Sequence, residues 1–314
     1  MNVLIIDKMH DSIHGLLKAI GVNADYQPDI TREKILQIIS SYEGLIVRSK
    51  TYIDAEVLSR GKNLKFVARA GAGIDNVDME VMNARNITLL NAPEGNRDAL
   101  AEHCIGILLA LLNKIHVADQ EVRNGKWDRE GSRGVELMGK TIGLLGYGFM
   151  GEAFAKRLQS FGCEIIAYDK DKSGFGNEYV KEVSLSELKE KTQILSIHIP
   201  LIKENRALID KSYLTSFKRL DYLVNTSRGE VLVLEDLLSL LQAQSLKGAA
   251  LDVLENEKIN SLSSHEQSVF EQLVQLPQTV LTPHVAGWSF ESYQKINEIL
   301  TFKIEKLVEK RTDF

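Results

Sequence analysis

The chain has 314 residues, enough for two domains of ordinary size. Its 44% hydrophobic and 26% charged residues are ordinary for a globular protein. A net charge of −5 argues against a nucleic-acid binder, which usually carries a basic face. Two cysteines, Cys104 and Cys163, cannot make a disulfide framework; they read as small core residues, which fits a reducing compartment.

The N-terminus, M-N-V-L-I-I-D, holds a short apolar run that stops at Asp7. That is a buried strand rather than a signal peptide, and no apolar stretch reaches the length of a membrane span. The expected location is the cytoplasm. Val3–Ile6, Gly44–Val47, Phe66–Ala68 and Ile87–Leu90 read as strands. Ser12–Ile20, Arg32–Ile39, Ala55–Arg60 and Asp78–Ala84 read as helices between them. This alternation is the rhythm of a parallel sheet with helices on both faces. From about Asp98 to Asn124 a long helical pattern carries Ile105, Leu108, Leu109 and Leu112, and reads as an inter-domain connector.

A second set opens with T-I-G-L-L-G-Y-G-F-M-G (141–151) and closes on I-I-A-Y-D (165–169). Strand, Gly-rich turn, helix, strand and carboxylate follow in the order of a dinucleotide-binding βαβ unit. Gly146 permits the tight turn, Gly148 lets a pyrophosphate approach the backbone, and Gly151 lets the helix pack close to the strand. The helix N-terminus offers N–H groups to the phosphates. Asp169 can accept hydrogen bonds from ribose hydroxyls and would repel a 2′-phosphate, which favours NAD; the flanking Lys170 and Lys172 work the other way. Later strands are expected at Ile194–Ile197, Tyr222–Thr226, Gly248–Asp252 and Thr279–Leu281, and a last helix at about Phe290 to Glu309.

Three polar residues stand at or near the ends of apolar runs: Arg228 in N-T-S-R-G, Glu257 in L-E-N-E and His284 in T-P-H-V-A-G. Ligands of open α/β sheets bind at the carboxyl ends of the strands. Taken singly, a histidine after Thr-Pro is usually structural, Arg228 before Gly229 could be a surface turn and Glu257 could be solvated. Together, and in this order after the fingerprint, they suit hydride exchange with a 2-hydroxy or 2-oxo acid. Arginine offers a fork for a carboxylate, histidine exchanges the hydroxyl proton, and a neighbouring carboxylate orients the ring.

Over nearly its whole length the chain resembles the D-isomer-specific 2-hydroxyacid dehydrogenases. The resemblance rests on L-I-V-R-S-K-T (45–51), A-R-A-G-A-G-I-D-N-V-D (68–78), N-A-P-E-G-N (91–96) and G-K-W (125–127). It continues through the Gly-rich turn, H-I-P-L (198–201), N-T-S-R-G (225–229), A-A-L-D-V (249–253) and T-P-H-V-A-G (282–287). It implies two doubly wound parallel α/β domains. A Rossmann-type NAD-binding domain at about 98–288 would be inserted in a flavodoxin-like substrate domain formed by 1–97 and 289–314. It implies that Arg228, Glu257 and His284 are catalytic. It puts cofactor contacts at Phe149, Met150, Asp169, Ile199, Thr226, Asp252 and Gly287, beside the three glycines. Substrate contacts would fall on Arg48, Ser49, Arg69 and the turn Glu94–Gly95, with Arg129 reaching the partner's site in a homodimer built through the nucleotide domain.

The best-matching branch acts on 3-phosphoglycerate in serine biosynthesis, with Arg48, Arg69 and Arg129 as a phosphate clamp. Alternatives are a hydroxypyruvate or glyoxylate reductase and a non-catalytic NAD-binding scaffold. Glu94, Ala72, Ile202, Asn205 and Trp288 depart from the pattern. A carboxylate at Glu94 would oppose an anionic substrate unless it turns away, and Trp288 implies a narrower pocket. The chain stops at Phe314 without the C-terminal regulatory domain of longer members, so serine feedback through such a domain is not expected.

Overall fold

The computed structural model describes residues 1–312, and side chains through residue 309. The chain forms two compact units, residues 1–97 with the chain from Trp288 onward, and Asp98–Gly287. The second division falls one residue earlier than the sequence reading placed it.

The first unit is built on β1 (Asn2–Ile5), β2 (Asn23–Tyr26), β3 (Gly44–Val47), β4 (Phe66–Arg69) and β5 (Thr88–Asn91). All pairings are parallel, in the order β2-β1-β3-β4-β5. That is the flavodoxin-like order, which reverses direction between β1 and β3. All four residues of β3 are buried, as expected of a central strand covered on both faces. β2 was not anticipated: N-A-D-Y lies at the sheet edge with no buried residue, so it carries no apolar run. Asp54 and Asp78 cap the helices that follow them, accepting the N–H groups of Val57 and Val81 at 3.0 Å. Such caps contribute about 1 kcal/mol each. The last helix, Phe290–Thr312, buries Ile296, Leu300 and Ile304 in one core cluster with Val3, Ile5, Ile13 and Leu17. Each such side chain stabilises the unit by about 1.5–3 kcal/mol.

The second unit holds β6 (Thr141–Leu145), β7 (Glu164–Tyr168), β8 (Lys181–Glu182), β9 (Ile194–Ile197), β10 (Tyr222–Asn225), β11 (Gly248–Leu251) and β12 (Thr279–Leu281). The sheet is parallel, in the order β12-β11-β10-β9-β6-β7-β8. Its direction reverses between β6 and β9, the crevice where doubly wound sheets bind dinucleotides.

The single helix expected from Asp98 to Asn124 is two helices. Pro93–Leu112 and Ile115–Arg123 meet at 62°, where Lys114 takes a left-handed φ of 52°. A residue in that conformation ends the i→i+4 ladder, so the apolar period continues through a bend that it does not announce. Leu100, Ala101, Cys104, Leu108 and Leu111 lie in the core of the second unit. Among the described residues no single helix is long and apolar enough to cross a membrane.

Candidate active site

At the reversal point of the second sheet, Gly146 leaves β6 with φ +95°, and a Cβ there would meet the carbonyl of His198 at 2.8 Å. A Cβ on Gly151 would lie 2.4 Å from the carbonyl oxygen of Gly146. Neither position tolerates a side chain. The helix Phe149–Leu158 starts at Gly148 with no side-chain cap, so its first N–H groups remain available to an oxyanion. Phe149 is exposed, Met150 half-buried.

Asp169, after β7, accepts the N–H groups of Tyr147 at 2.7 Å, Asp171 at 2.9 Å and Lys172 at 3.1 Å. These bonds aim its carboxylate across the Gly-rich turn and fill Oδ1, leaving an acceptor position on Oδ2 for a ribose hydroxyl. The Lys172 ammonium donates to the Tyr147 carbonyl at 3.2 Å, which draws it into the turn. An uncapped helix start, a glycine-rich turn and a fixed carboxylate fit a dinucleotide. Ile199 follows β9, half-buried. His198 beside it is packed 5.5 Å from the Phe154 ring, with its Nε2 2.9 Å from the Ser196 hydroxyl. Although an edge of the residue reaches solvent, the burial of its ring pushes the imidazole down to about 4.

His284 and Glu257, 27 residues apart, are brought together. The His284 Nδ1 lies 2.9 Å from the Glu257 carboxylate, and both side chains are about half exposed. His284 holds a left-handed φ of 55°, costly for a residue with a Cβ. In that conformation its N–H donates to the Asp252 carbonyl at 2.7 Å, and the Asp252 side chain ties down the residues on either side. The Asp252 carboxylate accepts the Val285 N–H at 2.9 Å, the Ala286 N–H at 2.8 Å and the Thr282 hydroxyl at 2.6 Å. The Nε2 of His103 is 3.0 Å from the Thr282 hydroxyl and 3.5 Å from Asp252. Burial alone would raise the Asp252 carboxyl; contacts from His103, Thr282, Ala286 and Val285 hold it below the usual carboxylate range. Asp252 is 1% exposed, so the residue expected to touch the cofactor also builds the turn that carries His284. Thr226, likewise buried, shares a 3.0 Å contact with the Cys104 thiol. Gly287 is half-buried at the end of the same turn.

Arg228 lies half-buried three residues after β10. Its loop is shaped by Asn225, which donates to the Arg228 carbonyl at 3.1 Å and accepts from the Ser227 N–H and hydroxyl at 3.0 and 2.8 Å. Asn225 and His103 were not singled out in the sequence. An Asn at a strand end with Ser two residues on is a local signal for such a turn. His103 gave none, because its contacts lie 149 and 179 residues away.

In the first unit, Arg48 and exposed Ser49 follow β3, and Arg69 ends β4. Arg69 donates to the Ala70 carbonyl at 3.3 Å and lies where a Cβ on Gly71 would stand, 1.9 Å away. Glu94 and Gly95 belong to the first turn of the helix Pro93–Leu112, not to a free turn. Gly95 is buried and lets the helix approach the backbone of Ile296, 2.8 Å from where its Cβ would be. Glu94 turns away to Lys303, whose ammonium lies 2.8 Å from both carboxylate oxygens. Burial alone would raise the Glu94 carboxyl, and Lys303 holds it below the usual range. The expected repulsion of an anionic substrate is thus met by an internal ion pair. Arg129 is exposed on the loop after Ile115–Arg123.

Residues 105–286 match the family described as D-isomer specific 2-hydroxyacid dehydrogenase, NAD binding domain. The chain is 34% identical over 302 residues to a D-3-phosphoglycerate dehydrogenase of Archaeoglobus fulgidus, covering 96% of this chain and 56% of that protein. It is 33% identical over 279 residues to a hydroxypyruvate reductase of Thermotoga maritima, covering 88% of each. The chain thus spans little more than half the length of the phosphoglycerate relative. Among solved structures, the TT0316 protein of Thermus thermophilus superposes with a TM-score of 0.81 at 29% identity, over 96% of this chain and 94% of that one.

Proposed function

The chain belongs to the D-isomer specific 2-hydroxyacid dehydrogenase family, and from that premise we propose that it oxidises a D-2-hydroxy acid, or reduces the 2-oxo acid, with 3-phosphoglycerate and 3-phosphohydroxypyruvate as the favoured pair. The carrying observation is the 2.9 Å contact between His284 Nδ1 and Glu257. With Nδ1 engaged, Nε2 is left for the substrate. Bound NAD supplies the hydride acceptor at the nicotinamide ring. His284 Nε2 takes the hydroxyl proton as the C2 hydride leaves, and returns it in the reverse direction. Glu257 fixes the ring and stabilises the imidazolium that results. Arg228 binds the C1 carboxylate through its planar fork, holding C2 in place.

Arg48 and Arg69 supply positive charge for a distal anionic group, and the Glu94–Lys303 pair removes the objection to such a group. A hydroxypyruvate reductase is the second reading, favoured by the Thermotoga relative, which matches this chain over 88% of its own length. The Ile115–Arg123 helix and the loop after it expose Ile115, Val122, Trp127 and Met138, which supports a homodimer through the nucleotide unit. A protomer mass by light scattering at micromolar concentration would count against that pairing. The substrate reading is tested by following NADH oxidation with phosphohydroxypyruvate, hydroxypyruvate, glyoxylate and pyruvate. It expects the highest kcat/KM for the phosphorylated acid; a preference for hydroxypyruvate would select the second reading.

A further inference from the structure

Arg48 is fixed at its backbone and open at its tip. Its N–H donates to the Asp7 carboxylate and its carbonyl accepts from the Asn76 side chain at 3.2 Å. Its guanidinium makes no hydrogen bond or ion pair with the described residues. Instead its Cζ lies 3.8 Å from the centre of the Trp288 ring and 5.4 Å from that of Tyr293. The two rings are 4.7 Å apart, and Tyr293 meets the His10 ring edge-on at 5.7 Å. Burial pushes the Arg48 guanidinium below its usual range.

A cation partly withdrawn from water is costly unless something compensates it. The Trp288 ring packs against the guanidinium carbon, and the N–H donors of a guanidinium lie in its own plane rather than over its face. Stacking and a two-pronged contact to an oxyanion are therefore compatible. Arg48 also stands in the wall of a cavity of about 280 Å³, with Lys8 and Ser49. The cavity lies at the ends of β1, β2 and β3, where the strand order reverses and ligands of such sheets bind. Asp7 and Asp29 line it too, but Asp7 already accepts the Arg48 N–H. The Lys50 ammonium is engaged by the Pro28 and Ile30 carbonyls at 2.8 and 3.0 Å.

We propose that Trp288, backed by Tyr293, is a specificity-determining platform that holds Arg48 flat to receive the distal carboxylate or phosphate of the substrate. The proposal rests on the dehydrogenase reading for the identity of the substrate, though not for the existence of the anion site. The large residue expected to narrow a pocket is then a support for its charged group. A free arginine on a loop loses its side-chain freedom on binding; one already stacked loses less.

The test is calorimetric titration of the full chain with inorganic phosphate and with malonate, which needs no turnover, in wild type, Trp288→Phe, Trp288→Leu, Arg48→Gln and the Arg48→Gln/Trp288→Leu double variant. Trp288→Phe should keep the affinity within about threefold, and Trp288→Leu should lose on the order of tenfold. The double variant should bind no more weakly than Arg48→Gln alone, because the ring acts only through the arginine. The tighter of the two probes identifies the anion class. In turnover, the selectivity of Trp288→Leu for phosphohydroxypyruvate over hydroxypyruvate should fall by a similar factor. Binding of neither anion by the wild type, losses that add in the double variant, or equal losses for the two substrates would each overturn the platform. Absent turnover with every 2-oxo acid, alongside the expected calorimetric pattern, would instead sink the dehydrogenase reading and leave the anion site standing.

Discussion

Replacing Asp252 by Asn probes the turn that carries His284 without touching the histidine. The wild-type carboxylate gives one oxygen to the Ala286 N–H and the other to the Val285 N–H and the Thr282 hydroxyl, in a site 1% exposed. An amide keeps the shape and loses one acceptor, so a buried donor must face an NH2 group. An orphaned buried donor costs about 1–3 kcal/mol, and the remaining bonds lose their charge assistance, for a total of about 2–4 kcal/mol. For a unit of this size that lowers Tm by roughly 5–15 °C. The left-handed His284 is held by this network, so its ring should also drift from Glu257, and displacement on the ångström scale lowers turnover on the order of 10²-fold. Calorimetric melting and steady-state NADH kinetics on one preparation measure both. An Asn variant as stable and as fast as wild type would show that the carboxylate does not build the turn.

Further outcomes follow from the same geometry. His284→Ala and His284→Gly should both lose roughly 10²–10⁴-fold in turnover, but the glycine variant should be more stable than the alanine variant by about 1 kcal/mol, since only alanine keeps the left-handed strain. Equal unfolding free energies would remove the strain argument. Asp169→Ala should narrow the preference for NAD over NADP while raising the KM for NAD, because the carboxylate also accepts three backbone N–H groups; an unchanged cofactor ratio would contradict its role. Burial holds the His198 ring neutral down to about 4, against about 6.5 in the unfolded chain. The unfolded state therefore binds the proton first as pH falls. The stability this ring contributes is complete above about pH 6.5 and is lost toward pH 4, by at most about 3 kcal/mol and less where its exposed edge admits water. A His198→Asn variant should show a shallower decline in urea-unfolding free energy over that window; identical slopes would refute the assignment.

What could be read from the sequence was local. Strands buried on both faces were found to the residue: Gly44–Val47 is an unbroken apolar run, and Ile194–Ile197 is interrupted only by the small Ser196. The Gly-rich turn was legible because its glycines keep a fixed local spacing between two apolar runs, although the carbonyl that Gly146 must clear belongs to His198 on another strand's end. The edge strand Asn23–Tyr26 was not, since half-exposed residues carry no periodic signal. Neither was the bend at Lys114, because a left-handed residue interrupts the backbone without interrupting the apolar pattern. The pairing of Glu94 with Lys303, the seating of Arg48 on Trp288 and the hold of Asp252 on the His284 turn all join residues far apart in the chain. Sequence could place those residue types at the ends of elements; only packing decided which way each side chain turned.

The claim of hydride exchange is tested most directly by isotope transfer. NADH carrying deuterium at both C4 positions is incubated with the best 2-oxo acid, and the product is examined by mass spectrometry and chiral chromatography. The account predicts one deuterium at C2 of the D-hydroxy acid, with transfer strongly reduced in His284→Ala. A product without deuterium, or of the L configuration, would contradict it.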